Sequence, residues 1–168
     1  MSSTKRVFLF TIIGALLLSL SAKLLADQFL TDRVGIIGLM VGLVPSLNPG
    51  IAFGLSLGGW EMLVIPCALI VLLWVAMKSI HTTLSAVGFG LIIGGALGNI
   101  IDRLRDGLVT DFFQVGTFPI FNVADSCITV GVVILLVEMV VQKSIQNRRK
   151  FQGPRAKYQE NSNPSNLQ

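Results

Sequence analysis

Apolar residues run almost unbroken through four stretches of the chain, 7–26, 60–77, 84–101 and 123–142. A helix rising about 1.5 Å per residue needs roughly 20 such residues to cross a hydrocarbon layer of about 30 Å. Each stretch is therefore predicted to be a transmembrane helix, and the fold class to be an all-α polytopic membrane protein with four of them. Lys5 and Arg6 before the first stretch imitate a secretory signal, but that run is longer than a signal core and no small-residue cleavage site closes it, so it reads as a retained span.

The connections are unequal. Residues 78–83, "KSIHTT", form a short turn, whereas 27–59 and 102–122 are long. The first long connection, "DRVGIIGLMVGLVPSLNPGIAFGLSL", alternates short β-branched runs with glycines. It is too apolar for a free linker and its runs are too short to cross, so a small extracytoplasmic β-sheet platform is predicted there, with a re-entrant or interfacial segment as the alternative. Residues 1–142 form a single membrane-embedded domain on this reading. Residues 143–168 form a basic, polar cytoplasmic tail, expected to be largely disordered.

Within the third stretch Gly90, Gly94 and Gly98 recur every fourth residue. Such a stripe lets a neighbouring backbone come close, and it carries packing rather than chemistry. Trp60 and Trp74 lie near the two ends of the second stretch, where an indole suits the interface or fills the core.

Composition supports the membrane class: 52% of residues are hydrophobic and 13% charged, with a mean hydropathy of +0.75. The net charge of +4 is a property of the tail, because six basic residues against Glu160 follow from Lys143 onward. Placed directly after an apolar helix, they fit anionic membrane lipid better than nucleic acid, which would want a basic folded surface with stacking aromatics. Lys5, Arg6, Lys78 and the tail share one side, while both long connections are slightly acidic. The positive-inside rule puts both termini in the cytoplasm and the long loops outside. Cys67 and Cys127 sit in apolar runs and read as buried structural thiols, and His81 has no neighbour at ligand spacing, so neither a metal nor a cofactor is expected. Glu138 is expected to pair with Lys143 or to reach the interface.

A few polar residues resist a packing explanation. Asn99, Asp102 and Arg103 share one face at the outer end of the third span, and by themselves form no more than a helix-end cluster with an internal Asp–Arg pair. Asn122 has the position of an N-cap for the fourth span, with Asp125 three residues on as its capping acid. That accounts for one carboxylate. It does not account for Asp111, alone between Val109 and the Phe112–Phe113 pair, because an ionisable group among bulky apolar residues at the membrane marks a site by default. Two carboxylates brought together cannot both ionise cheaply, and a pair sharing one proton performs acid–base hydrolysis. Whether residues fourteen apart through a loop meet is left open by spacing alone. A channel or transporter lined by these groups, and an assembly protein whose polar cluster only fixes helix packing, stand beside the enzyme. Against the channel, the first two spans offer few polar groups along the membrane depth.

The ordered set "NPGIAF" (48–53), "GGALGNIIDR" (94–103), "VTDFF" (109–113) and "FNVADS" (121–126) resembles bacterial lipoprotein signal peptidase, also called signal peptidase II. The resemblance implies a monomeric aspartyl protease of the bacterial inner membrane with its active site at the outer face. It would remove the signal peptide of a diacylglyceryl-modified prolipoprotein before the lipidated cysteine and be inhibited by globomycin-like cyclic peptides. It makes Asp111 and Asp125 the catalytic pair, with Asn48, Gly50, Asn99, Arg103 and Asn122 supporting substrate or carboxylates. Asp102 and Lys23 become structural support around them.

Two departures from the family pattern stand out. The first span of many members carries an Asp-Gln-x-Ser/Thr-Lys motif, where this chain has "SLSAK", with Ser19 at the aspartate position and Lys23 retained. Asp27, two turns on, is a partial substitute at a different height. Pro49 and Ile51 stand where smaller residues are common in the glycine loop.

Overall fold

The computed structural model describes residues 2–50 and 58–161, the side chains of 61, 62 and 148–161 excepted. Residues 51–53 of the "NPGIAF" motif, Ile51 among them, lie outside the described residues. The elements in order are α1 (Ser3–Phe29), β1 (Val34–Ile37), β2 (Val41–Asn48), α2 (Glu61–Ser79), α3 (Thr83–Asp106), β3 (Val109–Val115) and α4 (Val123–Asn161).

Among the described residues three helices, α1, α3 and the Val123–Asn147 part of α4, are long and apolar enough to cross a membrane. The second expected span corresponds to α2, whose apolar stretch Leu63–Ser79 is shorter. Helix α3 is central: 56% of its apolar window is buried, against 17% for α1 and α4. Most apolar side chains on α1 and α4 point outward, as with Phe10, Leu18 and Val133, which is the surface a lipid solvent favours.

Glycine sets how closely the helices pack. A Cβ on Gly94 would stand 2.6 Å from the Ile12 carbonyl and one on Gly98 2.5 Å from Ser19 Oγ, so the sequence stripe is the α1 contact. A second face, which the stripe did not reveal, uses Gly95 against the Ala124 carbonyl (2.5 Å) and Gly88 against Leu135 (2.7 Å) on α4. Thus α3 is held at backbone distance on both sides, against α1 and against α4.

The helices overrun the apolar runs. The first run ends at 26 but α1 continues to Phe29, and the third ends at 101 but α3 continues to Asp106. Polarity alone does not end a helix; Gly107 does, in the left-handed region at φ 82°. At the other end of α3, Thr82 caps the helix reciprocally with Ser85. Likewise α4 continues as helix to Asn161, past the expected boundary at 142, with no proline or glycine between residues 142 and 153.

The sheet is antiparallel with order β1-β2-β3. It corrects the expectation that the platform belongs to the first connection alone, because β3 comes from the second. "VTDFFQV" has the β-branched and aromatic content of a strand, and it needs β2 as its partner. The ladder slips between Leu43 and Ser46 of β2 opposite Phe113 and Asp111, an irregularity that coincides with Pro45, which has no N–H to give. The strand β3 packs against α1 and α3, which brings the sheet to the end of the bundle where α1 and α3 finish and α4 begins.

Three smaller expectations are corrected. Cys127 is buried but Cys67 is exposed, on an outward face of α2. Glu138 is buried and accepts from Thr82 Oγ1 and from Gln142 Nε2 at 2.9 Å; it ties α4 to the start of α3 rather than turning to Lys143. Asp102 pairs not with Arg103 but with Lys23, at 2.9 Å.

Candidate active site

Asn122 caps α4. Its Oδ1 accepts from the Asp125 N–H at 3.1 Å and its own N–H donates to Asp125 Oδ2 at 3.1 Å. This is the reciprocal capping expected from the i, i+3 spacing, and it aims Asp125 at the positive end of the helix dipole. The other oxygen, Asp125 Oδ1, accepts from Asn99 Nδ2 at 2.8 Å. Asn99 therefore reaches from α3 to the first turn of α4.

Asp111 arrives from β3. Its Oδ1 accepts from Asn122 Nδ2 at 2.6 Å and its Oδ2 from Asn48 Nδ2 at 3.0 Å. Asn48 is oriented by its own turn, since its Oδ1 accepts from the Gly50 N–H at 2.9 Å. The Gly50 carbonyl in turn accepts from Arg103 Nη2, and Arg103 Nη1 also donates to the Asn99 carbonyl at 3.4 Å. The rigid guanidinium fork thus ties the β2 turn to α3.

Asn122 closes the circuit. Besides Asp111, its Nδ2 donates to Asn99 Oδ1 at 3.2 Å, so two amides in series, Asn122 and Asn99, connect the carboxylates of Asp111 and Asp125. Asn99 Oδ1 also accepts from Lys23 Nζ at 2.7 Å, and Lys23 donates to the Gly98 carbonyl at 3.3 Å. Lys23 touches neither acid directly. It carries its charge up to the amide that holds Asp125, and it meets Asp102 behind that amide.

Asn48, Asn99, Arg103, Asp111 and Asp125 line one cavity of about 680 Å³. Its other walls are apolar, with Ile65 from α2, Ile120 and Phe121 from the loop before α4, and Ile128 from α4. Burial pushes the Asp111 carboxyl above the usual carboxylate range; the Asn48 amide pulls it back and the nearby Asp125 adds to the rise. Among the described residues no three His, Cys, Asp or Glu side chains converge to hold a metal ion.

The structure brings together all of Lys23, Asn48, Gly50, Asn99, Asp102, Arg103, Asp111, Asn122 and Asp125. Sequence reasoning missed the buried ion pair, because its members are 79 residues apart. It also missed Thr110, whose hydroxyl donates to Asp27 Oδ1 at 2.8 Å and whose N–H donates to Asp102 Oδ2 at 3.1 Å. A threonine in a valine-rich strand carried no signal. Ser19 is fully buried, with no hydrogen-bond partner for its hydroxyl among the described residues.

Residues 11–141 match the family model of signal peptidase (SPase) II. The chain belongs to the signal peptidase II family. A lipoprotein signal peptidase of Coxiella burnetii (strain RSA 331 / Henzerling II) is 38% identical over 146 residues, covering 77% of this chain and 86% of the relative. One from Rhodococcus jostii (strain RHA1) is 34% identical over 156 residues, 87% and 79% of the two chains. One from Dehalococcoides mccartyi (strain ATCC BAA-2100 / JCM 16839 / KCTC 5957 / BAV1) is 40% identical over 105 residues, 58% of this chain and 66% of the relative's length. Among solved structures, a bacterial membrane enzyme determined by the in meso method at 2.3 Å resolution superposes with a TM-score of 0.68 at 26% identity. That match covers 84% of this chain and 90% of the other.

Proposed function

We propose that the chain is an aspartyl endopeptidase that removes signal peptides from diacylglyceryl-modified prolipoproteins, cutting before the lipidated cysteine. The observation that carries this reading is the joint hold of Asn122 and Asn99 on Asp111 and Asp125 at the wall of one cavity. Membership of the signal peptidase II family supplies the substrate class.

Asp111, which burial biases toward the neutral form, keeps its proton and donates it to the scissile carbonyl oxygen. Asp125 at the helix N-terminus is the ionised partner and takes a proton from water, whose oxygen attacks the carbonyl carbon. Collapse of the resulting gem-diol breaks the C–N bond. Asp125 then gives its proton to the leaving amine, and Asp111 recovers one from the diol. No metal and no covalent intermediate is required. Asn48, Asn99 and Asn122 hold the carboxylates, Asn48 and Asn99 at the cavity wall also offer amides to the substrate backbone, Arg103 and Gly50 fix the Asn48 turn, and Lys23 with Asp102 supports Asn99.

The apolar walls suit the signal helix and acyl chains, so the lipid contributes remote binding energy and a water-soluble peptide is a poor substrate. The charge pattern supports a multi-pass protein of the bacterial inner membrane with cytoplasmic termini and the site at the outer face. The enzyme acts as a monomer among lipids, and a globomycin-like cyclic peptide competes for the cavity. The deciding experiment is gel-shift cleavage of a diacylglyceryl-prolipoprotein in detergent by wild type, Asp111→Asn and Asp125→Asn. Both variants are expected to lose at least about 100-fold in turnover; near-normal cleavage by either ends the two-aspartate mechanism.

A further inference from the structure

Asp111 sits at a weak point of its sheet. Opposite it the β2–β3 register slips, so β2 offers Leu43 to Phe113 and Ser46 to Asp111 with two residues between them. Phe112 N–H turns instead to the Phe121 carbonyl, at 3.0 Å, and Phe113 N–H goes to the same oxygen at 2.7 Å. A ladder with a bulge at this point does not by itself fix the height of the strand. On the other side of the slip Leu47 pairs with Thr110 and Asn48 with Val109, and Asn48 and Asn122 hold the carboxylate itself; a further tie is needed to set the strand against the helices.

The residue next to Asp111 supplies it. Thr110 is buried and held at two atoms from two helices: its hydroxyl donates to Asp27 Oδ1 of α1 at 2.8 Å, and its N–H donates to Asp102 Oδ2 of α3 at 3.1 Å. Each acid is itself braced by a cation, Asp27 by Arg105 at 3.0 Å and Asp102 by Lys23 at 2.9 Å. A β-branched side chain has little freedom at χ1, so the hydroxyl bond transmits the position of α1 to the strand backbone. None of these atoms lies in the pair of acids or in its amide shell.

We propose that Thr110 and Asp27 are positioning residues for Asp111, clamping β3 to the outer end of α1 so that the Asp111 carboxylate faces Asp125 across the Asn122 amide. The clamp acts on turnover rather than on substrate binding, because it lies one residue behind the carboxyl and neither Thr110 nor Asp27 lines the cavity that Asp111 and Asp125 share. This inference rests on the endopeptidase reading of the same site.

The test compares Thr110→Val, which keeps the branched shape and removes the hydroxyl, with Thr110→Ser, Asp27→Ala and the Thr110→Val/Asp27→Ala double variant. Turnover of a diacylglyceryl-prolipoprotein is read in detergent, and carboxyl titration is followed by 13C NMR on aspartate-labelled protein, assigned through Asp111→Asn. Thr110→Val and Asp27→Ala are each expected to lower kcat about 10-fold with KM within twofold, corresponding to a lost interaction of about 1.4 kcal/mol. Thr110→Ser should recover most of the loss, the double variant should be no worse than either single one, and the Asp111 titration should move in Thr110→Val. A Thr110→Val enzyme with kcat within twofold of wild type, or a serine variant as slow as the valine one, overturns the proposal. If wild type fails to cleave the substrate, the endopeptidase reading fails first. The NMR titration then decides alone, and an Asp111 midpoint unmoved by Thr110→Val overturns the clamp.

Discussion

Lys23 Nζ lies 2.9 Å from Asp102 Oδ2 with both side chains buried, so an ion pair joins α1 to α3 directly behind the amide that holds Asp125. Removing one member leaves the other charged and without compensation, which in buried pairs costs about 3–5 kcal/mol. Lys23→Met is expected to lower the thermal midpoint in detergent sharply. The Lys23→Met/Asp102→Asn double variant should regain part of that loss, and strictly additive losses would show that the two do not act as a pair.

Asn122 has two separable duties. Its Oδ1 caps α4 and its Nδ2 reaches Asp111 and Asn99. Serine keeps a capping oxygen but offers no amide, whereas alanine offers neither. Both variants should lose turnover to a similar extent, on the order of 100-fold for a lost site donor. Asn122→Ala should be about 1 kcal/mol less stable than Asn122→Ser in denaturant or thermal unfolding.

The direction of the Asp111 shift sets a sign for pH dependence. Burial raises its native value, so the native state holds the proton more tightly than the unfolded chain does. The contribution to stability is complete below the unfolded value of about 3.9 and is lost as pH rises through the raised native value. Wild type should therefore lose thermal stability relative to Asp111→Asn across that window, as melting curves of the two at stepped pH will measure. The alkaline limb of turnover should follow the same ionisation.

The glycine contacts allow an internally controlled comparison. Gly94→Ala puts a methyl 2.6 Å from the Ile12 carbonyl, whereas a Cβ on Gly14 meets nothing within 4 Å. Overpacking of this kind costs about 1–3 kcal/mol, while an open helical Gly→Ala change gains up to about 1 kcal/mol. Opposite shifts of the melting temperature are expected, and a tolerated Gly94→Ala would mean that α1 and α3 are not held at backbone distance.

Some of the site was legible because it is local. Asn122 and Asp125 are three residues apart at a helix start, and their reciprocal bonds follow from the backbone geometry of any first turn. The glycine stripe was legible for the same reason, since a period of four maps to one helix face. Asp111 drew attention only as an acid without a local explanation. Lys23 with Asp102, Asn48 with Asp111, and Thr82 with Glu138 span 56 to 79 residues, and no spacing rule reaches that far. The apolar pattern gave no sign of where α1 and α3 stop, because hydropathy reports the depth of lipid and not the end of a helix.

The sequence by itself determined the membrane class, the positions of the apolar helices and the polar residues that packing does not explain, because hydrophobic runs and capping motifs act over one or two turns. The tertiary structure decided which acids meet, which cation answers Asp102 and which strand carries Asp111. Those choices depend on α3 packing at glycine distance between α1 and α4 and on β3 joining β2, and contacts between distant segments are set by shape complementarity and buried polar pairing, which a linear pattern does not encode.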